Sequence, residues 1–241
     1  MIRAISLDLW KTLIVDRDDD EARRDRIRAQ ALHDALLERI HTDVPEETLY
    51  TSLRRIDVLR RDVREMRDWT LTTTNQVCFV LTQASVYPSH DLVEAILPAY
   101  EASILQLMPV LIEPDAPLLL ADLAERYTLS MTSNTGKNPG RVLLKVFDLL
   151  HIRAPFTHFI FSDEVMYLKP DQGIWDALAH ANELDPGEII HVGDSYRMDY
   201  RGARDAGLQA VLFGQHNSIP ADTPCIASLR ELETIIQEMN T

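Results

Sequence analysis

The stretch Met1-Ile-Arg-Ala-Ile-Ser-Leu-Asp-Leu-Trp-Lys-Thr-Leu13 decides how the rest of the chain is read. Ile2, Ala4, Ile5 and Leu7 form a short apolar run of the kind that makes a strand buried on both faces of a parallel sheet. The run stops at Asp8, leaving a carboxylate at the strand's C-terminal end. Ligands of open α/β sheets bind along that edge, so Asp8 is the first candidate functional residue.

Working outward from this strand, the pattern turns helical after Ile14 and stays so to Pro109. Asp16 to Glu21 reads as a solvated acidic run that contains a helix start. Ile27, Ala31, Leu32, Ala35, Leu36 and Ile40 then recur with helical period. Asp43-Val-Pro-Glu-Glu47 carries the proline and acids of a first helical turn. It leads into a second stripe of Leu49, Leu53, Ile56, Leu59, Val63 and Met66. Further helices are predicted from Thr74 to Ala84 and from Ser89 to Leu107, the latter bent at Pro98. Without strand alternation, the block is predicted to be a small helical bundle.

Beyond Pro109 strands and helices alternate. A helix opens at Asp115-Ala-Pro117, and a strand from Tyr127 to Thr132 ends at Ser133-Asn134. Asn138-Pro139 reads as the cap of a helix to about Leu150, followed by a strand from His158 to Phe161 and a helix from Asp171 to Asn182. Glu188 to Val192 reads as a strand ending at Gly193-Asp194, and Ser195 to Ala206 as a helix. A strand from Leu208 to Phe213 and a helix from Ile226 to Glu238 complete the chain. Such alternation predicts right-handed crossovers and a doubly wound parallel sheet, an α/β fold. The core is expected over 1–14 and 108–241, with the helical block of 15–107 inserted into it.

Composition narrows the function. The 241 residues are 46% hydrophobic and 26% charged, as in ordinary globular proteins. A formal charge of −14 argues against nucleic acid or an anionic membrane as partner, because phosphate backbones are bound by basic surfaces. Cys78 and Cys225 lack metal-type spacing and read as free thiols of a reducing compartment. A strand at the very N-terminus leaves no room for a signal peptide, and Ile96 to Ile112 is too interrupted by Pro98, Glu101 and Pro109 to span a membrane. The expectation is a cytoplasmic protein, monomer or homodimer, in which a small anionic substrate would need local capture by a few cationic groups and backbone amides.

Four short stretches share one placement, at or just after a predicted strand end: Asp8-x-x-x-Thr12, Ser133-Asn134, Lys169-Pro170 and Gly193-Asp194-Ser195-x-x-x-Asp199. Each alone reads better as a cap, turn or solvated residue. Together, and in this order, they resemble the four motifs of the haloacid dehalogenase-like (HAD) superfamily along essentially the whole chain. The helical insertion resembles that family's α-helical cap domain.

The resemblance implies that Asp8 is a nucleophile attacking phosphorus, with Thr12, Ser133 and Lys169 completing the catalytic set. It implies substrate contacts from Ser133, Asn134, Lys169 and Trp10. It implies Mg²⁺ held among Asp8, the backbone carbonyl of Trp10 and Asp194, with Asp199 orienting Asp194 or a metal-bound water. A phosphate dianion repels a carboxylate, so a divalent cation between them suits this chemistry. Gly202, Ala203 and Gly207 are explained by close helix–sheet packing and are given no chemical role.

Trp10 departs from the pattern, because family phosphatases carry a second Asp there as general acid and base. Three readings follow. The first is a Mg²⁺-dependent phosphatase limited to good leaving groups. The second is an enzyme similar to the L-2-haloacid dehalogenases, whose halide leaves without a proton. The third is a catalytically weak protein that binds phosphate or a partner. The pair Asp194 and Asp199 argues for a metal, since carboxylates clustered around Asp8 without a cation repel one another.

The insertion is expected to supply substrate selectivity by closing over Asp8. Arg23, Arg24, Arg26, Arg28, Arg54, Arg55, Arg60, Arg61, Arg64 and Arg67 are its cationic candidates. Interleaved with Asp25, Asp57, Asp62 and Glu65, they read as a solvated, salt-bridged helix face. Trp69, Thr70, Thr72, Thr73 and Thr74 read as core and cap residues, with a pocket lining as the alternative.

Overall fold

The structure is a computed structural model that describes residues 1–66, 71–216 and 219–239, without the side chains of 60–66. Trp69, Thr70 and Arg67 lie outside the described residues, as do the side chains of Arg60, Arg61 and Arg64. In chain order the elements begin with β1 (Ala4–Leu7) and β2 (Ile14–Val15). Five helices follow: α1 (Asp20–Ile40), α2 (Glu46–Met66), α3 (Thr73–Gln83), α4 (His90–Glu101) and α5 (Ser103–Gln106). Then come β3 (Val110–Leu111), α6 (Ala116–Ala124), β4 (Thr128–Ser133), α7 (Gly140–Leu149) and β5 (Phe156–Phe161). The remainder is α8 (Ser162–Val165), α9 (Gln172–Asn182), β6 (Ile189–Gly193), α10 (Gly202–Asp205), β7 (Gln209–Phe213), β8 (Cys225–Ile226) and α11 (Leu232–Met239).

The chain divides into two compact units. One comprises Met1–Val15, Val110–Asn134 and Phe147–Thr241, and the other Asp16–Pro109 with Thr135–Val146. The second grouping departs from the sequence expectation: Lys137, Asn138 and Arg141 are bound by side chains of the helical block, which draws their segment to that unit. Among the described residues no helix is long and apolar enough to cross a membrane.

The first unit is built on a six-stranded sheet in the order β5-β4-β1-β6-β7-β8, parallel throughout. β1 is central, and all four of its residues are buried, which is why its sequence is apolar on both faces. Fully buried Ile5 and Leu7 are each worth roughly 1.5–3 kcal/mol. On one face Ile174, Trp175 and Leu178 of α9 and Ala203 of α10 pack with Ala4, Ile160, Ile189 and Ala210. The chain builds outward from β1 to β4 and β5, then returns to place β6 on the other side. That reversal is a topological switch point, where open α/β sheets form their ligand crevice. Leu7 is level with Met131 and Val192, and the Asp8 amide donates to the Val192 carbonyl at 2.8 Å. Asp8 therefore emerges at the crevice.

β2 and β3 form a separate antiparallel pair, which brings the two ends of the helical insertion side by side. Sequence had not indicated this pair. Sequence also extended the last helix to Ile226, whereas Ile226 lies in β8. The Gly214 amide donates to the Ile226 carbonyl, and Ser228 with Glu231 caps the turn that precedes α11. The helix expected from Ser89 to Leu107 breaks at Ala102 into α4 and α5, with Pro98 inside α4.

In the helical unit Leu32 and Leu36 of α1, Leu49, Leu53 and Ile56 of α2, Val77, Val80 and Leu81 of α3, and Val93, Ile96 and Tyr100 of α4 share one core. One end of that core is ionic. Arg24, Asp25, Arg28 and Lys137 have fully buried side chains. Asp25 accepts from Arg28 at 2.9 Å, from Arg54 at 3.1 Å and from Lys137 at 2.9 and 3.2 Å. Lys137 also meets Asp57 at 2.9 Å, and the other Arg28 nitrogen donates to Asn138 Oδ1 at 2.7 Å. Burial would raise the Glu21 carboxyl, but Lys137, Arg28 and Arg24 hold it down at about 2. Asp20 is buried as well and accepts from Arg23 and from the Arg17 amide. The solvated face and acidic run read from the sequence are corrected at Asp20, Arg24, Asp25 and Arg28, which are buried, while Asp18, Asp19, Arg23, Arg26 and Arg55 are exposed as read. Charges converging from α1, α2 and the 135–138 loop make burial tolerable.

Candidate active site

β1 ends at Asp8, which is 6% exposed. Lys169 arrives from the loop between α8 and α9 and is 2% exposed. Its ammonium donates to Asp8 Oδ1 at 2.5 Å, Asp199 Oδ1 at 2.7 Å and the Thr132 carbonyl at 2.9 Å. Three hydrogens meet three acceptors, so the donors of the ammonium are all engaged within the protein. Asn134 fixes the lysine's main chain at two points: its Oδ1 accepts from the Lys169 amide at 2.8 Å, and its Nδ2 donates to the Lys169 carbonyl at 3.1 Å. The side chain of Asn134 thus acts on Lys169.

Asp199 sits in a π-helical stretch, Tyr196–Arg201, that replaces the start of the α-helix expected from Ser195 to Ala206. The wide turn folds its carboxylate back, and Oδ2 accepts from the Ser195 amide at 2.8 Å. Such bulges recur at functional sites. Gly193 is required by this approach, because a Cβ there would lie 2.3 Å from Asp199 Cγ. A Cβ on Gly202 would come within 2.6 Å of Pro170, so its smallness serves packing against the lysine-bearing loop. His191 Nε2 lies 3.1 Å from Asp199 Oδ1, and its Nδ1 lies 2.9 Å from Ser6 Oγ. With Lys169, His191 and Ser195 all donating to it, Asp199 has both oxygens engaged by protein, which suits an anchor better than a metal ligand.

Asp194 follows β6 and is half-buried. One oxygen from each of Asp8, Asp194 and Asp199 lies within 4.8 Å of the others. Burial pushes the Asp8 carboxyl up to about 7, opposed by Lys169 and reinforced by Asp199 and Asp194. Burial and Asp199 raise Asp194 as well. Burial would also raise Asp199, but Lys169 and the His191 hydrogen bond hold it well below the usual carboxylate range. Burial opposes the Lys169 charge, yet Asp199 and Asp8 raise its pKa. Burial lowers the His191 pKa despite Asp199, which keeps the ring neutral.

Thr12 and Ser133 are buried, and their hydroxyl oxygens have no hydrogen-bond partner among the described residues. Buried polar atoms in folded proteins are almost always paired, so these two hydroxyls have donor and acceptor capacity left over. Between Asp8 and Thr12, Lys11 holds a left-handed backbone (φ 61°), and its amide donates to the Ile14 carbonyl at 2.7 Å. Trp10 is half-buried in this turn.

The family model for haloacid dehalogenase-like hydrolases matches residues 2–207. The chain belongs to this family. The HAD-like chain is 29% identical to the glyceraldehyde 3-phosphate phosphatase of Methanopyrus kandleri over 217 residues, 88% of this chain and 83% of that protein. It is 32% identical over 75 residues to haloacid dehalogenase-like hydrolase domain-containing protein 3 of Bos taurus, a match spanning 31% of this chain and 30% of that protein. Its structure resembles the 2-haloacid dehalogenase of Pseudomonas syringae with a TM-score of 0.69, covering 99% and 100% of the two chains. Their identity is 20%, so that likeness is one of fold.

Sequence reasoning singled out Asp8, Lys169, Asp194 and Asp199, which the fold brings together, but missed His191, Ser6 and the clamp by the Asn134 side chain. A signal existed for the first two. Ser6 and His191 are polar residues inside otherwise apolar strands, Ala-Ile-Ser-Leu and Ile-Ile-His-Val, and they are register partners.

Proposed function

We propose that this HAD-like hydrolase is a Mg²⁺-dependent phosphatase acting on a small phosphorylated metabolite through an aspartyl-phosphate on Asp8. One observation carries the reading: one oxygen from each of three carboxylates lies within 4.8 Å of the others, with Lys169 bonded to two of them. Burial, with Asp199 and Asp194 close by, holds the nucleophile up at about 7 despite Lys169. An all-oxygen donor set of this kind fits a hard dication. Asp8, the main-chain carbonyl of Trp10 and Asp194 would hold it, while Asp199 anchors Lys169. When bound, Mg²⁺ supplies neutralising charge between carboxylate and phosphate and polarises the phosphoryl oxygens.

The chain's own residues do the rest. An Asp8 oxygen attacks phosphorus, forming the acyl phosphate as the bond to the leaving oxygen breaks. Water then attacks the same phosphorus, releasing inorganic phosphate and restoring Asp8. The unpartnered hydroxyls of Thr12 and Ser133 are donors suited to phosphoryl oxygens, and Lys169 offsets the developing charge. Trp10 has no titratable proton for the leaving oxygen. The missing acid–base catalysis is worth roughly 10²–10⁴-fold. Substrates with good leaving groups are therefore favoured. The relationship to the Methanopyrus kandleri phosphatase supports a phosphate ester. The free state of Cys78 and Cys225 supports a reducing, cytoplasmic setting.

A dehalogenase is the second reading, favoured by Trp10 alone, because a halide departs without a proton. The test offers p-nitrophenyl phosphate, acetyl phosphate and 2-chloropropionate with and without Mg²⁺. Turnover of the phosphates only with Mg²⁺ is expected. Metal-independent turnover of the chlorinated acid alone would overturn the proposal.

A further inference from the structure

We propose that His191 is a positioning residue: its Nε2–H group fixes Asp199 Oδ1, and through it Lys169, so that the ammonium is shared between Asp199 and the nucleophile Asp8. The inference rests on the phosphatase reading of the site. His191 is fully buried in β6, and Trp175 packs edge-on against its ring at 4.8 Å between centroids.

The direction of each hydrogen bond follows from chemistry. A neutral imidazole has one donor and one acceptor nitrogen. An ionised Asp199 only accepts, so the nitrogen 3.1 Å from it, Nε2, carries the hydrogen. Nδ1 then accepts, and Ser6, 2.9 Å away, supplies its hydroxyl hydrogen. Ser6 Oγ also lies 2.9 Å from Thr132 Oγ1, so the two hydroxyls are within hydrogen-bond reach of each other. The Thr132 carbonyl is the third acceptor of Lys169. The chain Thr132–Ser6–His191–Asp199–Lys169 thus starts on β4 and closes back on it through the bond from Lys169 to the Thr132 carbonyl. It fixes the imidazole tautomer from below, as outer-shell partners commonly do for functional groups.

Removing the Nε2 donor leaves Asp199 Oδ1 to Lys169 alone. The terminal torsion of a carboxylate is soft, so the group can turn toward the lysine or away from it. Lys169 then divides its charge differently between Asp199 and Asp8.

The test compares His191→Phe, which keeps a ring without a donor, with His191→Gln, whose amide can donate at similar reach. With p-nitrophenyl phosphate and Mg²⁺, kcat per folded molecule should fall about tenfold in His191→Phe, equivalent to ~1.4 kcal/mol. KM should stay within about twofold if the change falls on the chemical step rather than on binding. His191→Gln should recover most of the rate. A purely structural role would lower the melting temperature of both variants and leave kcat per folded molecule unchanged, which would overturn the proposal.

A second measurement does not depend on turnover. Nitrogen-15 NMR of the wild-type protein should show His191 with Nε2 protonated and Nδ1 bare, and the Asp199 carboxyl carbon should shift in His191→Phe and His191→Gln alike. An Nδ1–H tautomer, or an unmoved Asp199 resonance, would overturn the proposal. An inactive wild-type protein with the expected NMR would instead refute the phosphatase reading and leave the positioning intact.

Discussion

Replacing Asp25 by alanine tests the buried ionic end of the helical unit. Asp25 is fully buried and accepts from Arg28, Arg54 and Lys137. Arg54 is 43% exposed, so its share is that of a surface pair, about 0–1 kcal/mol. Arg28 and Lys137 are fully buried and would be left short of an anion. Truncating one partner of a buried pair costs roughly 3–5 kcal/mol. Lys137 keeps Asp57 at 2.9 Å and Arg28 keeps Asn138 at 2.7 Å, so the expected loss lies near the lower end, about 3 kcal/mol. Urea unfolding of wild type and Asp25→Ala reads it directly as a lower midpoint at unchanged slope. Asp25→Asn, which keeps an acceptor oxygen, should lose less than Asp25→Ala. The triple change Asp25→Leu, Arg28→Met and Lys137→Met should recover most of the loss, because apolar replacement of a buried ion network is often neutral. A loss below about 1 kcal/mol for Asp25→Ala would mean that these charges are solvated and that the ionic cluster does not hold the 135–138 loop to α1 and α2.

Three further predictions concern the site. Trp10→Asp restores the acid–base group, so kcat should rise, and rise more for an alkyl phosphate than for p-nitrophenyl phosphate, with an upper limit of about 10²–10⁴-fold. A gain indifferent to the leaving group would show that protonation was not the missing element. Gly193→Ala places a methyl 2.3 Å from Asp199 Cγ, and the displaced carboxylate should lower kcat at least about tenfold. Unchanged turnover would show that Asp199 can be moved freely. Asp8 sits at about 7 in the folded protein against an ordinary 3.8. In metal-free protein its contribution therefore favours the protonated fold and is lost as pH rises from about 4 to 7. Mg²⁺ needs the carboxylate, so its thermal stabilisation should grow over the same range. Below pH ~7 binding should release a proton, seen as a buffer-dependent enthalpy in calorimetry, and identical enthalpies in phosphate-free buffers of different ionisation heat would refute this.

The α/β class, the strand ends carrying Asp8, Ser133 and Asp194, and the helical nature of the insertion were all legible in the sequence. Each depends on a short-range regularity. A doubly buried strand is a continuous apolar run, and ligand-facing residues stand where such runs stop. Ser6, inside the first run, and His191, inside the run before Gly193, were the visible irregularities. The register Ser6 to His191 spans 185 positions, Lys137 to Asp25 spans 112, and Asn134 to Lys169 spans 35. Periodicity carries no information across such distances. Only the folded chain decides which of its charges are buried, because a lone charge on a helix belongs in water until counter-ions from other elements arrive beside it. Arg24 and Arg28 look like surface residues for that reason, and so does Asp25. The same holds for Asp199: the sequence places it near Asp194, but only the π-helical turn and the fold bring Lys169, His191 and the Ser195 amide onto its two oxygens.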